Sequence, residues 1–292
     1  MGSGVTQERL AQALDFLTKF GVRVPPTGRH QRALKLIRSV NDEALRLDPT
    51  DAQLLRRLQH AHRDAYELFL IAYAASLRRK RADSPFTIQR LQALMSGREL
   101  GGGDPHPRNI QFELYVAAML VLGSLEVTDG EPDLRLLYGT ETIGVAAKRL
   151  TSLTPTQADR NFGKAVDQIA RSRLRGLVAI NLDSRFSGKP STMPREERLA
   201  NFEATFNTLA PIIEAYRVPN PHVLGYLAFG HLSEWFLDPS NENKPGLMTH
   251  APFRWFGWPN TAQEKQLYLA FSDAWRSRVE THLERISSRD QL

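Results

Sequence analysis

A chain of 292 residues with 41% apolar and 24% charged residues is long enough to bury a full core and too hydrophobic for wholesale disorder. It holds no cysteine, which excludes disulfides, zinc–thiolate sites and thiol nucleophiles, leaves oxygen or imidazole to hold any metal, and leads us to expect a reducing, cytoplasmic setting. The net charge of +6 is carried by the amino-terminal third, where residues 1–104 hold 17 Lys+Arg against 11 Asp+Glu while the remainder balances at 21 against 21. A basic segment beside a neutral body suits contact with a polyanion through counterion release, although it also serves as a solubilising face.

Met1-Gly2 with Thr6 formally fits a myristoylation pattern, but Met1-Gly2-Ser3-Gly4 is read here as a cloning remnant. Helical spacing follows in Leu10, Leu14, Leu17 and Phe20 and again in Leu34, Ile37, Val40 and Leu45. A long helix is expected over 51–79, with Asp51 as its capping residue and the run Arg78-Arg79-Lys80-Arg81 at its end. That run could sit on nucleic-acid phosphates, or it could simply complement the helix dipole. The longest apolar runs, 68–77 and 115–125, fall short of the roughly 20 residues of a membrane-spanning helix, so no membrane partner is expected.

Gly101-Gly102-Gly103-Asp104-Pro105 is the strongest punctuation in the chain and divides it into a helical, basic domain at 1–104 and a mixed domain at 105–292. The second part predicts a helix over 108–122, short strands near 125–127, 133–138 and 142–147, an amphipathic helix over 154–173 and a buried strand over 176–183. A helix over 196–216, strands near 222–229 and 253–258, and a closing helix over 261–286 complete the pattern. The fold class is therefore α/β, a mixed sheet flanked by helices with an amino-terminal α-helical domain. Tyr226, Phe229, Trp235, Phe236, Phe253, Trp255, Phe256 and Trp258 concentrate in the last third as core or interface rings, with base stacking as the sharper alternative. His222, His231 and His250 lack compact ligand spacing, so no histidine metal site is expected.

Chemistry concentrates at Pro132-Asp133 and Val145-Ala146-Ala147-Lys148-Arg149. Positions 146 and 148 share one face of a strand, which presents Lys148 and residue 146 together beside the strand that Asp133 opens. The carbonyl of Ala147 lies between them and is available to a hard cation. Glu113 interrupts an otherwise apolar helix, where burial carries a desolvation cost unless a cation or donor meets it. On the later helix, Ala158, Phe162, Ala165 and Ile169 make the packing stripe and leave Lys164 on another face.

These residues, in this order over about 105–183, resemble the PD-(D/E)XK nucleases, the superfamily with the restriction-endonuclease-like core. The resemblance implies a metal-dependent DNA endonuclease using Mg2+ or Mn2+. It gives Glu113, Asp133, position 146 and the Ala147 carbonyl as metal ligands and Lys148 as the residue that positions or activates water. Gln168 and Lys164 would then approach the reacting and a neighbouring phosphate, and Arg149 would join Arg78, Arg79, Lys80 and Arg81 in binding nucleic acid. Such domains often serve bacterial defence against foreign DNA, and many pair into homodimers; the helical domain could equally recruit a partner protein.

The departure is Ala146, where the family carries an acid. Glutamate at 146 would complete the motif, and the reading favoured here is an inactivated form of an active enzyme. Glu131 shares strand parity with Asp133 and is a possible substitute, whereas Glu141 falls on the wrong face of its strand. The alternative is a catalytically inactive nuclease-fold module that binds nucleic acid or another protein.

Overall fold

The computed structural model of the chain describes residues 3–42, 51–79, 81–97, 105–150, 154–183, 195–217, 220, 222–238, 244–250 and 253–257, with short stretches between 269 and 282. Three helices come first: α1 (Ser3–Lys19), α2 (Arg29–Asn41) and α3 (Ala52–Arg78). Their apolar stripes are buried as the spacing predicts, with Leu10, Leu14, Leu17, Leu34 and Ile37 inside. Asp51 is the N-cap of α3, its carboxylate accepting the backbone N–H groups of Gln53 at 3.0 Å and Leu54 at 2.9 Å. A short helix, α4 (Ile88–Leu94), follows with Thr87 as its cap; at 7 residues it is too brief for periodicity to announce.

The run from α5 (His106–Leu122) through β1 (Glu126–Asp129), β2 (Leu134–Tyr138) and β3 (Glu141–Arg149) is a buried helix and an antiparallel meander. After α6 (Pro155–Ser172) the strand β4 (Arg175–Asn181) returns parallel to β3, and after α7 (Arg195–Arg217) the strand β5 (Val223–Phe229) returns parallel to β4. A separate hairpin of β6 (Leu232–Asp238) and β7 (Lys244–His250) was not among the strands expected from the sequence. Then β8 (Phe253–Gly257) pairs antiparallel with β5 and completes a six-stranded mixed sheet in the order β1-β2-β3-β4-β5-β8. The closing helix expected over 261–286 lies mostly outside the described residues; Ser277, Arg278 and Val279 are helical where described.

Strand alternation sorts the sheet's side chains into two layers. Val145, Ala147, Leu177, Ala179 and Leu227 pack with α3 and α5 in one core that runs on into the first helices. Ala146, Val178, Ile180, Tyr226 and Ala228 face the other way, against Ala158, Phe162 and Ile169 of α6. No helix among the described residues is long and apolar enough to cross a membrane.

Trp275 closes the first core from the carboxyl-terminal side, donating Nε1–H to the carbonyl of Met119 at 3.0 Å. It can do so because residue 123 is glycine: a β carbon there would lie 1.8 Å from Trp275 Cδ1. Gly123→Ala should therefore displace the indole and cost about 1–3 kcal/mol, the usual penalty of overpacking. Thermal or urea unfolding would read this as a lowered midpoint, and an unchanged midpoint would contradict this packing.

Candidate functional site

The register of β2 on β3, with Leu134 opposite Val145, places Asp133 beside the carboxyl end of β3, which runs on past its last β2 partner. Asp133 fills that gap, its Oδ2 accepting the Ala147 N–H at 2.7 Å. Lys148 Nζ donates to the same oxygen at 3.1 Å and to the Ala147 carbonyl at 3.2 Å. From α6, Gln168 Nε2 donates to Asp133 Oδ1 at 3.3 Å and to the Pro132 carbonyl at 3.1 Å. The Lys148–Asp133 pair is largely withdrawn from water, at 19% and 14% exposure, so its charges are poorly screened. Glu113 on α5 pairs with Arg90 at 2.7 Å, and Arg90 also holds Asp129. Burial first, and the nearby charge of Asp133 second, push the Glu113 carboxyl up against the opposing pull of Arg90 and Lys148. Asp133, Lys148 and Gln168 thus meet at the carboxyl end of β3, with Glu113 within electrostatic reach and held by Arg90.

Other residues singled out from the sequence go elsewhere. Ala146 is fully buried in the apolar layer beneath α6, with Phe162 and Val178. Lys164 is exposed on α6, and Glu131 is exposed at the turn before β2. Glu141 pairs with Arg175 at 3.5 Å, away from Asp133, as its parity predicts. Arg78 donates to the Leu125 carbonyl, Arg79 lies over the Phe20 ring, and Arg81 pairs with Glu126 and Asp83; Lys80 lies outside the described residues. These three arginines serve contacts within the chain. Tyr226 and Phe229 are core rings, whereas the side chains of Trp235, Phe236, Phe253, Trp255 and Phe256, and all of Trp258, lie outside what is described.

The oxygen atoms at this end of β3 are of the hard type that Mg2+ takes, and Gln168 Oε1 is buried with no hydrogen-bond partner among the described residues. They do not complete a divalent site. Lys148 already neutralises Asp133 and occupies the Ala147 carbonyl, Glu113 is held by Arg90, and position 146 supplies no carboxylate.

A second polar centre lies between α3, α5 and the carboxyl ends of β3 and β4, and motif reading missed it. Asp64 pairs with Arg108 and with Arg63, and Gln111 donates to Asp64 and Glu67 while accepting from Arg29. Asp183 Oδ1 accepts the backbone N–H of His231 at 2.8 Å and lies 3.0 Å from its Nδ1, with Arg63 at 3.6 Å from Oδ2. Burial would raise both aspartates, but Arg108, Arg29 and Arg63 around Asp64, and His231 beside Asp183, hold them below the ordinary carboxylate range. His231 is raised because Asp183 outweighs its burial, and Glu67 is raised by burial itself. Glu67, Asp183 and His231 each offer a ligand atom within 4.8 Å of the others', so this buried group could hold a metal ion, contrary to the expectation that no histidine would take part. An ion there would compete with the proton that His231 shares with Asp183. The available signal was Arg63, Asp64 and Glu67 interleaved with the apolar run Ala61, Ala65 and Leu68–Ala72 of α3.

Comparison of the chain with protein-family models, with curated proteins and with solved structures found no match.

The buried network sets a pH dependence. The stabilisation from Asp183, whose folded value is depressed, is complete above its unfolded value of 3.8 and is lost as pH falls through the folded value. That from His231, whose folded value is raised, is complete below 6.5 and is lost as pH rises through the folded value. Unfolding midpoints should therefore decline on the alkaline side of 6.5. His231→Ala should cost about 3–5 kcal/mol by leaving buried carboxylates uncompensated, and should flatten that decline. Midpoints equally steep in pH with and without His231 would contradict the assignment.

Proposed function

We propose that this chain carries the framework of a metal-dependent DNA endonuclease of restriction-endonuclease-like fold, in a form that Ala146 leaves inactive. The observation that carries the reading is the contact of Asp133 with Lys148 and Gln168 at the carboxyl end of β3, with Glu113 in electrostatic reach. Around it, α5, the β1–β3 meander, α6 and the parallel return of β4 follow the element order expected of such a core.

Hydrolysis of a phosphodiester near neutral pH needs a Lewis acid and an activated water, and Mg2+ or Mn2+ belongs to the form with an acid at 146. The chain's own residues supply the rest. Lys148 is a partly desolvated cation able to meet a phosphate oxygen, Asp133 fixes the position of its ammonium, and Gln168 holds Asp133 in turn. With alanine at 146, Lys148 is committed to Asp133, which favours a second reading in which the chain binds nucleic acid without cutting it. A role in defence against foreign DNA rests on analogy with such domains alone.

Cleavage assays on plasmid, linear and single-stranded DNA and on RNA, with Mg2+ and with Mn2+, test the proposal. The chain should cut nothing, Ala146→Glu should cut DNA, and adding Lys148→Ala should reduce that activity by about 10² or more. Because residue 146 sits in an apolar layer, Ala146→Asp and a thermal melt accompany the test. A folded variant with the acid restored that still cuts nothing while retaining DNA binding establishes the binding module instead.

A further inference from the structure

Beyond the Asp133 edge, β3 and β4 end side by side, with Arg149 opposite Asn181, and their carboxyl ends floor a recess of about 180 Å3, mouth included. Arg63 and Glu67 of α3, Arg108 of α5, Arg149 and Asp183 supply its charged wall. The carboxylates are already engaged. Asp183 is taken by His231 and Asn181, and Glu67 accepts from Gln111, while Asp64 behind the wall takes Arg108 and Arg63. Arg149 differs: half-buried, it makes no hydrogen bond or ion pair with the described residues, and it feels the charges of Arg63 and Arg108 more than those of Glu67 and Asp183. Burial, then those two arginines, lower its guanidinium to about 10. A half-buried cation beside two others, with the nearby carboxylates already engaged, is costly unless something negative joins it.

We propose that this recess binds one small tetrahedral oxyanion of the phosphate class, held by Arg149 with Arg63 and Arg108. Guanidinium forks match phosphate oxygens two at a time, and three of them converge here against two occupied carboxylates. The recess is small and open on one side, so only a compact group can sit at its mouth against Arg149, and any nucleoside attached to that phosphate stays outside. Placement beyond the carboxyl ends of parallel strands is where open α/β sheets take ligands. The site does not depend on the residue at 146 or on whether the chain cuts DNA.

The test is calorimetric titration of the full chain with inorganic phosphate, paired with thermal melts in phosphate and in chloride at matched ionic strength. Saturable one-site binding and a phosphate-specific rise in midpoint are expected, with Arg149→Ala weakening binding by about tenfold or more and Arg149→Lys by less. Phosphate acting no differently from chloride, or Arg149→Ala binding as the unaltered chain does, overturns the proposal. If Arg149→Ala does not melt cooperatively, Arg149→Gln and Arg149→Lys give the same reading. Competition by a nucleoside 5′-monophosphate identifies a phosphomonoester as the source, and binding of phosphate without such competition identifies the free ion.

Discussion

The structure turns on how the buried charges of α3 are compensated. Arg63, Asp64 and Glu67 are buried on α3 among its apolar residues, and ions withdrawn from water are tolerable only with partners in good geometry. The partners come from α1–α2 side and from the sheet side alike: Arg29, Arg108, Gln111, Asp183 and His231. Meeting these demands seats α5 against α3 and brings the ends of β3 and β4 to the same place. A single core then runs from the first helices through α5 into the sheet, with no break in its apolar packing.

That seating decides what reaches the sheet edge. Arg108 and Gln111 turn toward α3, and Glu113, two residues further along α5, falls within electrostatic reach of Asp133 and Lys148. On the strand, Lys148 and Arg149 point to opposite faces, so neighbouring cations serve two different centres. Lys148 is bound to Asp133, and Arg149 stands free of described partners at the recess. The carboxyl end of β3 therefore holds a preorganised cation and carboxylate, with Ala146 buried on the same strand in the apolar layer under α6.

Local signals carried much of this from the sequence. Asp51 announced its helix, the short strands of the meander followed from turn residues and apolar alternation, and strand parity put Lys148 on one face with position 146 while setting Glu141 aside. What was illegible depends on distance along the chain. Asp64 and Arg108 are 44 residues apart, and Asp183 and His231 are 48 apart, so no window of periodicity contains either pair. The arginines at the end of α3 looked like phosphate ligands because sequence shows their charge but not Leu125, Phe20 and Glu126, which receive them. Parity likewise gave the face of Ala146 without showing how completely α6 covers it.

The inactive-nuclease reading we propose requires that a carboxylate at 146 be what the site around Asp133 lacks to retain a divalent ion. Mn2+ binding followed by electron paramagnetic resonance tests it most directly, comparing the chain, Ala146→Glu, and Ala146→Glu combined with Asp133→Asn. The account predicts one Mn2+ site gained with Ala146→Glu and lost again when Asp133 is neutralised, whatever the Glu67, Asp183 and His231 group binds in all three. Identical Mn2+ binding by the three proteins, each folded, would contradict it.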